Sequence, residues 1–218
     1  MSTKTIRFFA LAAVSVMIKN IVFDIGNVLV DFGWREYIKS FGVTDEEFDR
    51  IVAATVYSSA WSEFDRGILS EEEVLESFYA ADPDMKELIY KIFSKINGLL
   101  TQFDYTKDWI RDLQKRGFKV YCLSNMSYKA VDECAEALNF IPLLDGAILS
   151  CDVKLCKPER EIYELLFKKY DLVPEECLFI DDLEKNINAA IACGMKGHVF
   201  KDKADADAAI NEIVAAEV

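Results

Sequence analysis

Lys19-Asn-Ile-Val-Phe-Asp-Ile-Gly-Asn-Val28 is the stretch that decides the fold. Ile21, Val22 and Phe23 run without polar alternation into Asp24, and Gly26 follows. A strand buried on both faces of a parallel sheet reads this way, with its carboxyl end marked by a polar residue and a turn. Working outward, Lys119–Ser124 and Cys177–Asp181 repeat the pattern, and shorter versions occupy 147–149 and 198–200. Helical periodicity fills the gaps between them. Residues 106–116 carry Trp109, Ile110 and Leu113 on one face and stop at Gly117. Further helices are predicted over 132–139, over 159–170 after Pro158, over 184–193 before Gly194, and in the Ala-rich end of the chain. Strands alternating with helices predict an α/β fold with a doubly wound parallel sheet.

Between Asp31 and Asp104 the texture changes to amphipathic helix. Thr44 with Glu47, and Ser70 with Glu73, read as capping boxes, and Asp82-Pro83-Asp84 as another helix start. Four or five helices and no strand are expected there. The division that follows is a Rossmann-like core of residues 18–30 plus 105–218, a helical cap of residues 31–104, and an N-terminal extension of residues 1–17. No internal repeat or low-complexity segment interrupts it.

The 218 residues include 25 Lys+Arg and 38 Asp+Glu, a net charge of −13. No basic excess is available to neutralise phosphates of a nucleic acid or an anionic membrane surface, so neither is expected as a partner. His198 is the single histidine, which excludes any mechanism that needs two. The six cysteines, at 122, 134, 151, 156, 177 and 193, form no Cys-x-x-Cys pair, and several sit in apolar runs. They read as reduced thiols, which places the protein in the cytoplasm. Residues 1–16, with Lys4, Arg7 and an apolar stretch, resemble a short signal peptide. An upstream start ahead of Met17 and a plain extension are the competing readings.

In an open α/β sheet ligands bind at the carboxyl ends of the strands. Those ends offer Asp24, Ser124-Asn125 and Asp181-Asp182, with Lys157 at a loop–helix junction between the last two. Carboxylates facing one crevice repel unless a cation lies between them, and oxygen ligands of this kind suit Mg²⁺. The Ser124 hydroxyl can donate to a phosphate, and Lys157 can place a point charge against it. A carboxylate attacking phosphorus gives an aspartyl phosphate, which water hydrolyses. Each piece also has a plain structural reading: Asp24 and Asp181-Asp182 as caps, Ser124-Asn125 as a turn, Lys157 as a surface lysine. Their occurrence in order, each at a strand end or helix start, argues for a site.

In these motifs the chain resembles the haloacid dehalogenase superfamily, over residues 18–202. Asp24-Ile-Gly-Asn-Val28 is similar to its first motif, Leu123-Ser-Asn125 to its second, Lys157-Pro158 to its third, and Ile180-Asp-Asp182 with Asn186 to its fourth. The resemblance implies catalytic roles for Asp24, as nucleophile, and Lys157, phosphate binding by Ser124, Asn125 and Lys157, and Mg²⁺ held by Asp24, the Gly26 carbonyl and Asp182. Asp181 and Asn186 would be supporting residues. The opening motif and the cap segment Asp65-Arg66-Gly67 resemble the sugar-1-phosphate phosphatases, which implies substrate contacts at Asp65 and Arg66. Trp61 and Glu63 would join that polar-aromatic cluster. In one respect the chain departs from most phosphatases of the superfamily: Gly26 stands where they carry an acid–base aspartate. That disfavours a phosphomutase and favours a good leaving group, such as an anomeric oxygen. The expected function is a Mg²⁺-dependent phosphatase acting on a small phosphorylated metabolite, as a monomer or homodimer. The alternatives are a 2-haloacid dehalogenase and a catalytically weak phosphate-binding domain.

Overall fold

The computed structural model describes residues 17–215, so the N-terminal extension, apart from Met17, lies outside the described residues. In chain order the elements are β1 (Asn20–Phe23), β2 (Val30–Phe32), α1 (Trp34–Lys39), α2 (Asp45–Ala54), α3 (Ser59–Asp65), α4 (Glu71–Ala81) and α5 (Lys86–Phe93). They continue with β3 (Leu100–Gln102), α6 (Thr106–Lys115), β4 (Lys119–Ser124), α7 (Tyr128–Glu133), β5 (Gly146–Leu149) and α8 (Ser150–Val153). α9 (Arg160–Tyr170), β6 (Cys177–Asp181), α10 (Glu184–Ala192), β7 (Lys196–Val199) and α11 (Lys203–Ala215) complete the described residues.

Five strands form one parallel sheet in the order β5-β4-β1-β6-β7. β1 lies at its centre, with Ile21 opposite Val120 of β4 on one side and Leu178 of β6 on the other. The chain winds outward through β4 and β5, then returns past β1 to β6 and β7. Side chains alternate strictly between faces. Ile21, Phe23, Val120, Cys122, Leu178 and Ile180 pack with Trp109, Ile110 and Ile210 of α6 and α11. Val22, Tyr121, Leu123 and Phe179 pack with Ile162, Tyr163, Leu166 and Ile187 of α9 and α10. This two-sided burial is why the strand sequences are continuously apolar. Phe23 is fully buried, 4.5 Å from the Trp109 ring, and contributes roughly 1.5–3 kcal/mol from burial alone.

Both expected capping boxes form, at Thr44/Glu47 and Ser70/Glu73. Two sequence expectations need correction. The 31–104 segment contains strand as well as helix: β2 and β3 pair antiparallel, Val30 with Gln102 and Phe32 with Leu100, and tie the two ends of the insert together. A helix expected over 132–139 runs instead over Tyr128–Glu133. Ser127 caps it by accepting from Ala130 N–H, and residues 134–139 form turns. The buried residues of the insert, among them Ile38, Ile51, Phe78 and Ile92, are continuous with the α6/α11 face of the core. All six cysteines are free thiols, five of them buried. Among the described residues no helix is long and apolar enough to cross a membrane.

Candidate active site

The parallel topology brings the ends of β1, β4 and β6 to one edge, so Asp24, Ser124 and Asp181 meet although 157 residues of chain separate the first from the last. Asp24 N–H donates to the Ile180 carbonyl at 2.9 Å, the bond that closes the Phe23–Ile180 pair, so the carboxylate follows directly on the end of β1. Three donors converge on Asp24 Oδ1: Ile25 N–H at 2.7 Å, Ser124 Oγ at 2.8 Å and Lys157 Nζ at 2.8 Å. Among the described residues no hydrogen bond reaches Oδ2, whose lone pairs stay open to phosphorus or a cation.

Lys157 is 4% exposed and also reaches Asp181 Oδ2 at 2.7 Å. Burial alone would depress its pKa; Asp24 and Asp181 together outweigh burial and hold it above the usual lysine value. Burial pushes the Asp24 carboxyl upward, with Asp181 adding to the shift, while Lys157 and Ser124 oppose it. Asn125 grips the Lys157 backbone from both directions: its Nδ2 donates to the Lys157 carbonyl at 3.0 Å, and its Oδ1 accepts from Lys157 N–H at 2.8 Å. The residue expected on phosphate thus positions the lysine. Asn186 Nδ2 donates to both oxygens of Asp181 at 3.0 Å, and Leu183 N–H donates to Oδ1 at 2.8 Å.

Carboxylate oxygens of Asp24, Asp181 and Asp182 lie within 4.8 Å of one another. Asn186 Oδ1, beside Asp181, is buried with no hydrogen-bond partner. Closely spaced hard oxygen donors and an unsatisfied buried oxygen fit a hydrated divalent cation such as Mg²⁺. Burial raises the Asp182 pKa, with Asp181 adding to it and Asn27 opposing it. Sequence reasoning missed Asn27. It sits in the left-handed region at φ 57°, donates from Nδ2 to Asp182 Oδ2 at 2.8 Å, and accepts from Phe32 N–H at 3.2 Å. Asparagine tolerates that conformation, and the Gly26-Asn27 pair was the available signal. Gly26 itself has no such constraint: an added Cβ would meet only Phe32 Cβ at 3.9 Å.

The cap residues divide. Trp61 and Asp65 line a cavity of about 90 Å³ that also touches Gly26, Ser124 and Asn125. Asp65 is half-buried, and burial of its carboxyl pushes its pKa up to about 7 against hydrogen bonds from Trp61 and Ser127 N–H. Arg66 turns away from the cavity. Its guanidinium clasps both Glu159 oxygens at 2.6 and 2.7 Å and reaches Glu63 at 3.4 Å. Gly67, at φ 69°, comes so close to α8 that a Cβ would lie 2.8 Å from the Cys151 carbonyl. Asp65-Arg66-Gly67 is therefore the seam that docks the insert on the core. A second seam, also missed, is Lys129, which donates to Glu71, Glu133 and the Ser94 carbonyl. His198 pairs with Asp205 at 2.9 Å and takes no part in the carboxylate cluster.

The family model for haloacid dehalogenase-like hydrolases matches residues 18–194. A D-ribitol-5-phosphate phosphatase of Bacteroides thetaiotaomicron is 30% identical over 200 residues, which cover 87% of this chain and 95% of that protein. The sesquiterpene phosphatase astK of Aspergillus oryzae is 27% identical over 179 residues, covering 82% and 88%. Among solved structures, a variant HAD family enzyme of Bacteroides thetaiotaomicron in complex with magnesium and inorganic phosphate has a TM-score of 0.67 at 23% identity, covering 85% of this chain and 95% of that one. The L-2-haloacid dehalogenase of Xanthobacter autotrophicus has a TM-score of 0.58 at 15% identity, covering 83% and 76%.

Proposed function

The chain belongs to the haloacid dehalogenase-like hydrolases, and from that premise we propose that it is a Mg²⁺-dependent phosphatase of a small phosphomonoester, with Asp24 as nucleophile. The observation that carries the reading is the convergence of three carboxylates, Lys157 and Ser124 at one sheet edge. Asp24, Asp182 and the Gly26 carbonyl would hold Mg²⁺, which would supply positive charge against the phosphate oxygens. Ser124 Oγ and Lys157 Nζ, both now spent on Asp24, are placed to donate to those oxygens when phosphate arrives. Asp24 Oδ2 attacks phosphorus as the ester P–O bond breaks, giving an aspartyl phosphate and an alkoxide; water then releases inorganic phosphate and regenerates the carboxylate. Asn125 and Asn186 act indirectly, by fixing Lys157 and Asp181. The departing oxygen receives no help from Gly26, so leaving groups of low pKa are favoured.

A hexose-1-phosphate satisfies that leaving-group condition. The relatives point in two directions, toward a polyol phosphate and toward a sesquiterpene phosphate. A 2-haloacid dehalogenase has no use for the Asp181–Asp182 pair as metal ligands. Gly26 is the one observation that favours a phosphate-binding domain of weak activity. Phosphate release from p-nitrophenyl phosphate with and without Mg²⁺ tests the reading. Mg²⁺-dependent turnover that falls at least ~10³-fold in Asp24→Asn is expected. Turnover retained in that variant rules out Asp24 as nucleophile, and no turnover in the wild type rules out a phosphatase.

A further inference from the structure

The cavity of about 90 Å³ lies between the insert and the core. Its lining includes Gly26, two residues after Asp24, and Ser124, which bonds Asp24, so an ester group on a phosphate bound at Asp24 has this space beside it. The walls are apolar: Trp61, Phe64, Val74, Leu75 and Phe78 from the insert, and Met126 from the core. The polar lining residues each have a partner already. Asn125 is held by the Lys157 backbone. Ser124 donates to Asp24, and Ser127 caps α7. Lys129 bonds Glu71, and Asp65 accepts from Trp61 and Ser127. A ring of sugar hydroxyls entering this space would lose water and meet few groups able to replace it, the situation in which a site rejects a ligand strongly. The volume also argues against a hexose. An apolar cavity of about 150 Å³ takes benzene, which scales to about four carbon atoms here.

Building on the phosphatase reading, we propose that this cavity is the leaving-group subsite and that its wall selects, by binding, the phosphomonoester of an apolar alcohol over that of a sugar, at the slow chemical step that an alkoxide leaving without an acid at Gly26 imposes. The test uses binding, so that it does not depend on turnover. Dissociation constants of methyl-, ethyl-, propyl-, butyl- and hexylphosphonate are measured by calorimetry on the full chain in Mg²⁺. Burial of each methylene, at about 0.8 kcal/mol, corresponds to about fourfold tighter binding, so methyl to butyl is expected to gain about 60-fold. Leu75→Gln, which puts an amide in the wall, is expected to reduce that gain below tenfold. A gain below threefold from methyl to butyl in the wild type overturns the proposal, as does glucose-1-phosphate binding to the Asp24→Asn variant more tightly than butylphosphonate does. The phosphatase reading is judged separately, by hydrolysis of p-nitrophenyl phosphate. A chain-length gain without hydrolysis keeps the subsite and discards the phosphatase; hydrolysis without the gain does the reverse.

Discussion

Removing the Lys157 charge should destabilise the protein more than any exposed ion pair would, and increasingly so as pH rises. Lys157 Nζ lies 2.8 Å from Asp24 and 2.7 Å from Asp181, with the lysine 4% and Asp181 0% exposed. In Lys157→Met the side-chain volume is nearly kept, so the loss is electrostatic: two buried carboxylates face each other without their cation. Breaking a buried pair in this way costs about 3–5 kcal/mol. For a domain of this size that is a fall in Tm of roughly 6–20 °C. The sign of the pH dependence follows from linkage. Burial, with Asp181 adding to it, already holds the folded-state pKa of Asp24 above its unfolded value; without the opposing Lys157 charge it rises further, so the folded variant binds more protons than the unfolded chain and loses stability as pH increases. The deficit relative to wild type should be full near pH 8 and shrink toward pH 4, as Asp24 protonates. Urea unfolding in EDTA at several pH values measures it. A deficit below about 1 kcal/mol at pH 8, or one that does not shrink in acid, would refute the account of Lys157 as the counter-charge of a buried acid pair.

Asp182→Ala should raise the Mg²⁺ concentration for half-maximal phosphate release more than Asn186→Ala does; loss of an orienting group costs ~10–100-fold, and equal titrations would contradict the division of roles. Gly26→Asp should fold normally, since the added Cβ meets only Phe32 Cβ at 3.9 Å, and should raise kcat/KM on alkyl phosphates by up to ~10²–10⁴-fold while changing p-nitrophenyl phosphate little. A uniform change on both would show that proton donation at this position is not what Gly26 lacks. Arg66→Lys replaces a two-toothed clasp on Glu159 by a single contact; with the Glu159 side chain 37% exposed the loss is about 1 kcal/mol, read as faster hydrogen exchange across α3. Unchanged exchange there would mean that the seam is held by Gly67 and Lys129 alone.

The central strands were legible because burial on both faces leaves an unbroken apolar run, and the caps of α2 and α4 because a capping box is a contact between residues three apart. β2 and β3 were not, since each has three residues and its partner lies some seventy residues away in the chain. α7 was displaced because the apolar residues near 137–140 look helical, whereas they bury themselves from turns and the helix start is set by Ser127. At the site, the strand-end carboxylates could be read because the alternation of strand and helix already places those ends on one edge. The role of Asn125 could not, because its partner is the backbone of a residue 32 positions on.

The same limit bears on the cap, where polar residues draw the eye and apolar ones do not. Asp65-Arg66-Gly67 invited a reading as substrate contacts, because charges in a cap stand out in a sequence. Arg66 finds its countercharge 93 residues away in Glu159, and Gly67 is constrained by the Cys151 backbone, so these two work as a joint while Asp65 borders the cavity. Val74, Leu75 and Phe78 of α4, by contrast, form the ordinary apolar stripe of an amphipathic helix. Periodicity cannot distinguish a side chain packed on another from one that lines a hole, since both face inward at the same spacing. The residues that would choose a substrate are in that case the least conspicuous ones, and the cavity they border becomes visible only when the insert is seen folded against the strand ends.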